Sequence, residues 1–134
     1  MKLKNLLLAS CLLCSTVFDV YGQLIPRSYY PSPLLPIAQG GKMGYIDHDG
    51  KVVIEPQFSL PSFMGQKLLT GFRDGLALIK EHGKWGYIDL TGKVVIQPKY
   101  DEAWAFKEGV ALVLIGDKWG YINKSGEFIW GPTK

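Results

Sequence analysis

From Leu34 onward apolar residues fall in short runs broken by Gly, Asp, Asn or Pro, and the recurrence at three and four residues that marks an amphipathic helix does not develop. Val94-Val95-Ile96 is β-branched throughout and Trp85-Gly86-Tyr87-Ile88 is rich in aromatics, residue types that suit a pleated surface. Between them Asp89-Leu90-Thr91-Gly92 reads as a tight reversal, because the Asp side chain can bond backbone two residues on and Gly can take positive φ. Leu76-Ala77-Leu78-Ile79 precedes this hairpin across a His82-Gly83 turn. The pattern predicts an antiparallel three-stranded meander that Pro98 ends, since proline has no N–H for a ladder.

The same pattern is written three times. Lys-Trp-Gly-Tyr-Ile stands at Lys84 to Ile88 and at Lys118 to Ile122, and Lys42 to Ile46 differs only by Met43 for Trp. Turn residues recur in register, with Asp47, Asp89 and Asn123 followed by Gly50, Gly92 and Gly126. The units run at about 34–75, 76–109 and 110–132, the last stopping where Pro132 matches Pro98. Trp85 to Trp119 is 34 residues and Met43 to Trp85 is 42, the surplus falling between Phe58 and Phe72. Self-similarity at this period means one supersecondary unit that is copied and stacked. The expected fold is all-β, with meander repeats stacked into a small curved sheet or an open-barrel-like domain.

These residues resemble the WG-repeat family of bacterial proteins, through Trp-Gly-Tyr-Ile, the turn glycine, the Val-Val-Ile run, the trailing Pro and the closing Tyr-Asp-Glu-Ala-Trp-Ala-Phe-Lys-Glu-Gly at Tyr100 to Gly109. The resemblance covers about residues 34–132. Met43, the enlarged segment from Phe58 to Phe72 and a last unit without a closing segment depart from the pattern. The resemblance implies an all-β repeat module of undetermined activity, often exported and sometimes joined to other domains.

Residues 1–22 read as an address. Lys2 and Lys4 precede an apolar run from Leu6 to Phe18, and Val20-Tyr21-Gly22 places cleavage by a signal peptidase before Gln23. The run is too short to span a bilayer, which takes about 20 apolar residues, so no transmembrane span is expected after cleavage. A lipobox, Leu8-Ala9-Ser10-Cys11, supports an alternative in which Cys11 is acylated, although only Leu6 to Ala9 would then serve as the hydrophobic core. Both cysteines, Cys11 and Cys14, lie in this segment, so cleavage before Gln23 removes every thiol. Either route points to an exported chain, periplasmic, extracellular or lipid-anchored.

The 112 residues that remain suit a single domain able to bury roughly two-thirds of its unfolded surface. The formal net charge is +3, and +2 without Lys2, Lys4 and Asp19; no basic run marks a nucleic-acid partner. Residues 23–33 form a Pro- and Tyr-rich connector in extended geometry. Its Tyr29 and Tyr30 either sit on a mobile spacer or fold back to cap the first unit, a need of terminal repeats.

Tyr45, Trp85, Tyr87, Trp119 and Tyr121 are expected in the repeat core, their rings stacked into a ladder from unit to unit, with a ligand-stacking platform as the alternative. Aromatic and apolar residues that the repeat does not demand are the candidates for binding. Trp104 is surplus beside Ala103 and Phe106, and the enlarged loop carries Leu60, Phe63, Met64, Leu68 and Leu69 with Lys67 as its only charge. Such a loop is either a lid over the first hairpin, filling the space that Met43 leaves, or a docking surface.

Catalytic patterns are missing from the sequence. His48 and His82 sit in turns without an oriented partner. Asp47-His48-Asp49-Gly50 lacks the third ligand and the distal Glu of a calcium loop, and Asp89 and Asn123 at the same place identify it as turn chemistry. Glu55, Asp74, Asp101, Glu102 and Glu108 fall on strand ends and connectors. The expectation is an exported, non-catalytic binding or scaffold module that needs no metal or cofactor and whose partner is an unknown protein or envelope component. Self-association through open sheet edges is the alternative, and a carboxylate-based hydrolase ranks last.

Overall fold

The computed structural model describes residues 16–18, 24–26 and 32–132, with no helix among them. The chain divides into two compact parts, Met1–Pro31 and Ser32–Lys134. In the first, β1 (Thr16–Phe18) and β2 (Leu24–Pro26) pair antiparallel, with Val17 opposite Ile25. Cys11, Gln23, Tyr29 and Tyr30 lie outside the described residues, and the expectations attached to them lie there too.

In the second part each repeat keeps a sheet of its own, and none of the sheets closes. The first consists of β3 (Leu35–Gln39), β4 (Lys42–Ile46) and β5 (Val52–Ser59). A small hairpin, β6 (Ser62–Phe63) and β7 (Gln66–Lys67), lies within the enlarged loop. The second sheet is β8 (Phe72–Arg73), β9 (Leu76–Glu81), β10 (Lys84–Ile88) and β11 (Val94–Tyr100). The third is β12 (Glu102–Ala103), β13 (Val110–Ile115), β14 (Lys118–Asn123) and β15 (Phe128–Trp130). Every unit holds the expected three-stranded meander, and the second and third gain a fourth strand from the segment leading into them.

The hairpin turns follow from their Asx residues. Asp47 Oδ1 accepts from the N–H groups of Asp49 and Lys51, both at 2.9 Å, and Asn123 Oδ1 accepts from Ser125 and Glu127 at 2.9 and 3.0 Å. Asp89 does the same for Thr91 and Lys93 at 2.9 and 3.1 Å. Gly92 closes its turn with positive φ, +87°, a geometry that costs an L-residue about 1–2 kcal/mol.

The long third strand explains the central glycine of the motif. Tyr87 pairs with Ile96 and Trp85 with Tyr100, so the single residue Gly86 on β10 faces three on β11, Gln97 to Lys99, and the surplus bulges out around Pro98. Contrary to the sequence expectation, Pro98 does not end the strand: the bulge removes the need for its missing N–H, and pairing resumes at Tyr100. Gly86 lies beneath that bulge, where a Cβ would fall 2.5 Å from the Ile96 carbonyl oxygen and 2.7 Å from the Pro98 nitrogen. Gly44 is matched in the same way to Ile54 and Pro56.

Alternation along β10 gives each sheet two apolar faces of different character. The front face of the second unit carries Trp85, Tyr87 and Ile96; its back face carries Ala77, Ile79 and Ile88. One core forms where Met43, Tyr45, Ile54 and Phe58 of the first front face meet that back face. A second forms where Trp85, Tyr87, Ile96 and Tyr100 meet Ala111, Val113 and Ile122 of the third unit. Fully burying side chains such as Ile79 or Ile88 contributes about 1.5–3 kcal/mol each. The expected ladder of rings is absent because an aromatic front packs on an aliphatic back; the close ring pairs are Tyr45 with Phe72 and Tyr87 with Phe106, at 4.7 and 4.8 Å between centroids.

Candidate functional site

A connecting segment closes each of the first two units over its front face. In the first, the Tyr45 hydroxyl donates to the Thr70 carbonyl at 2.7 Å while Phe72 packs on the Tyr45 ring. In the second, the Tyr87 hydroxyl donates to the Trp104 carbonyl at 2.7 Å, with Phe106 on the ring. Burial pushes the Tyr87 phenol well above its ordinary range, the neighbouring Tyr100 adding to the effect. Burial also raises Tyr45, partly offset by its bond to Thr70.

The front face of the third unit is arranged like the others but is open. Trp119 is 39% exposed where Trp85 is 8%, Tyr121 is 41% exposed where Tyr87 is 0%, and Trp130 is 57% exposed where Ile96 is 4%. Tyr121 pairs across the sheet with Trp130, their ring centroids 6.2 Å apart. The placement of Trp119 and Tyr121 in the core is therefore corrected: the strand chemistry repeats, but burial comes from a neighbouring unit, and these two side chains are not covered.

The motif positions are the ones a family comparison recognises. The family model described as WG containing repeat matches residues 43–60, 85–119 and 119–129. The chain is a WG-repeat protein. No curated protein and no solved structure matches it. The three WG-type glycines are Gly44, Gly86 and Gly120, and the third approaches the Phe128 ring and the Trp130 carbonyl.

Across the third WG unit the open face runs on into the connecting segment. The Trp104 N–H donates to the Leu112 carbonyl at 3.0 Å, Leu112 pairs with Tyr121, and Tyr121 pairs with Trp130. Trp104, Leu112 and Tyr121 line a shallow concavity of about 410 Å³, bordered by Lys107 and Glu108. Trp104 itself is exposed, so its backbone closes the second unit while its indole faces outward. Aromatic faces of this kind bind by stacking and by excluding water from apolar groups.

The remaining sequence candidates are not brought to this face. Met64 is exposed at the tip of the β6–β7 hairpin, and Phe63 supplies a β6 pair to Gln66. The loop is only partly a lid: Leu60 packs on the first core and Pro61 is buried, whereas Leu68 and Leu69 are exposed. Thr70 fills the space beside Met43, its hydroxyl donating to the Leu78 carbonyl at 2.6 Å. His82, Glu81 and Lys84 border a second groove, of about 510 Å³, between the first two units. There Glu81 is already engaged, accepting from the Ser59 N–H and hydroxyl at 2.8 and 3.0 Å. Among the described residues, no group of three or more His, Cys, Asp or Glu is placed to hold a metal ion, and no helix is long and apolar enough to cross a membrane.

Trp130 carried no mark of a contact residue in its local sequence. The available signal was positional: it replaces Ile54 and Ile96 in the third copy of the pattern.

Proposed function

We propose that this WG-repeat chain is an exported, non-catalytic binding or scaffold module that meets its partner with the front face of its third unit. The observation carrying the reading is the contrast between Trp85 and Tyr87, buried in the second core, and Trp119 and Tyr121, exposed at the same positions. A face built to be covered elsewhere in the same chain is a contact surface when it is open, because exposed contiguous apolar area marks interaction sites. Trp104 and Trp130 flank it and add two large stacking groups. The reading of an exported module, in the envelope or outside the cell, is supported by Lys2, Lys4 and the apolar run from Leu6 to Phe18, the pattern of a signal segment.

The test pairs a variant with the native chain. Immobilised protein is expected to retain an envelope component that a Trp119→Ser/Trp130→Ser variant of unchanged melting temperature does not retain. Equal retention by both would overturn the proposed face. Intact mass of the chain recovered from its source separates cleavage before Gln23 from acylation at Cys11.

A further inference from the structure

The structure itself shows, twice, what covers a front face of this kind. Met43, Tyr45 and Ile54 are covered by Ala77, Ile79 and Ile88, and Trp85, Tyr87 and Ile96 by Ala111, Val113 and Ile122. The turn glycine of the covering unit joins both contacts: Gly92 sits against Ile54, and Gly126 against Ile96. In register with these covering sets the first unit carries Leu35, Ile37, Ile46 and Gly50. Leu35, Ile37 and Ile46 are only half-buried, and a Cβ at Gly50 would meet nothing within 4 Å. The molecule thus presents an uncovered front at its third unit and, at its first, the residue set that covers such fronts.

We infer that the chain associates head to tail with a second copy, the back face of one first unit (Leu35, Ile37, Ile46) seating on the front face of the other third unit (Trp119, Tyr121, Trp130). This rests on the proposed contact face and names its partner. The contact continues the internal stacking across two molecules, with Gly50 of one copy set against Trp130 of the next, as Gly92 is set against Ile54. It is heterologous, using different patches on the two copies, so it propagates into an open filament or closes as a ring rather than stopping at a two-fold dimer. An aliphatic back is the occupant favoured here over a pairing of two aromatic fronts, because both internal interfaces join front to back.

Light scattering and sedimentation velocity over rising concentration test this. The native chain is expected to grow past the dimer. A tail variant, Trp130→Glu, and a head variant, Ile37→Glu, are each expected to stay monomeric, while their equimolar mixture forms dimers and nothing larger, since one intact head meets one intact tail. Leu35→Glu serves as the head variant should Ile37→Glu lower the melting temperature. A native chain that stays monomeric overturns the inference, as do single variants that still grow or a mixture that forms no dimer. A monomeric native chain whose Trp119→Ser/Trp130→Ser variant still loses envelope retention removes the second copy as partner and leaves the contact face standing.

Discussion

The Tyr87 hydroxyl reaches across the second unit to the Trp104 carbonyl at 2.7 Å, tying the front-face strand to the segment that closes over it. Tyr45 and Thr70 repeat the tie in the first unit at the same distance. In the third unit the corresponding ring, Tyr121, is exposed beside Trp130. One residue type in one motif therefore has two physical roles.

Tyr87→Phe is expected to destabilise the protein by about 1–2 kcal/mol, since it leaves the part-buried Trp104 carbonyl without its donor. Tyr121→Phe is expected to stay within about 0.5 kcal/mol of the native value, as for most exposed substitutions. Urea unfolding of the two variants checks the difference.

Two glycines separate close approach from turn strain. Gly86→Ala places a methyl into the backbone of the Pro98 bulge and is expected to cost more than about 3 kcal/mol, because neither the Ile96 carbonyl nor the proline ring can swing aside. Within a single copy Gly50→Ala meets open space and, at a concentration where the chain is monomeric, should cost only the positive-φ penalty of about 1–2 kcal/mol. Thermal melts of both variants read the ranking.

Tyr100 is fully buried and its hydroxyl has no hydrogen-bond partner among the described residues, while Phe58 holds the same position in the first unit. Removing an unpartnered buried hydroxyl is neutral or favourable, so Tyr100→Phe should leave stability unchanged or raise it by up to about 1 kcal/mol. A fall in the unfolding midpoint would contradict this.

Acid and alkali act through different residues. The Lys84 ammonium and the Gly116 N–H hold the Asp101 carboxyl below its usual range, and the Thr91 hydroxyl does so for Asp89. A depressed carboxylate favours folding above its unfolded value of about 3.9 and ceases to as pH falls through the folded value, so the melting temperature should drop on the acid side of pH about 4. Asp89→Asn should flatten that drop while keeping the turn, as Asn123 does in the third unit. The phenols of Tyr45, Tyr87 and Tyr100 are raised by burial, so their contribution is complete below pH about 10 and fades as pH rises through the folded values. Melting temperature across the pH range, with Tyr87→Phe for the alkaline limb, checks both signs.

Local chemistry was legible in the sequence because it depends on neighbours along the chain. The turns at Asp47, Asp89 and Asn123 and the hairpins they join follow from side chains and backbone a few residues apart. The course of β11 was less legible, since a bulge that carries Pro98 between paired residues depends on how the partner strand is spaced. The enlarged loop was legible only as apolar; which of its residues tuck in and which stand out is set by the space beside Met43.

The amino-acid order by itself determined that three like units would form as β meanders, because turn chemistry and alternation act within a few residues. Only the tertiary structure decided which copies of the motif are core. Trp85 and Trp119 stand in identical pentapeptides, yet one is buried and the other open, because burial is a property of what lies against a face. The third unit lies against the front of the second, and the front of the third keeps its aromatics exposed.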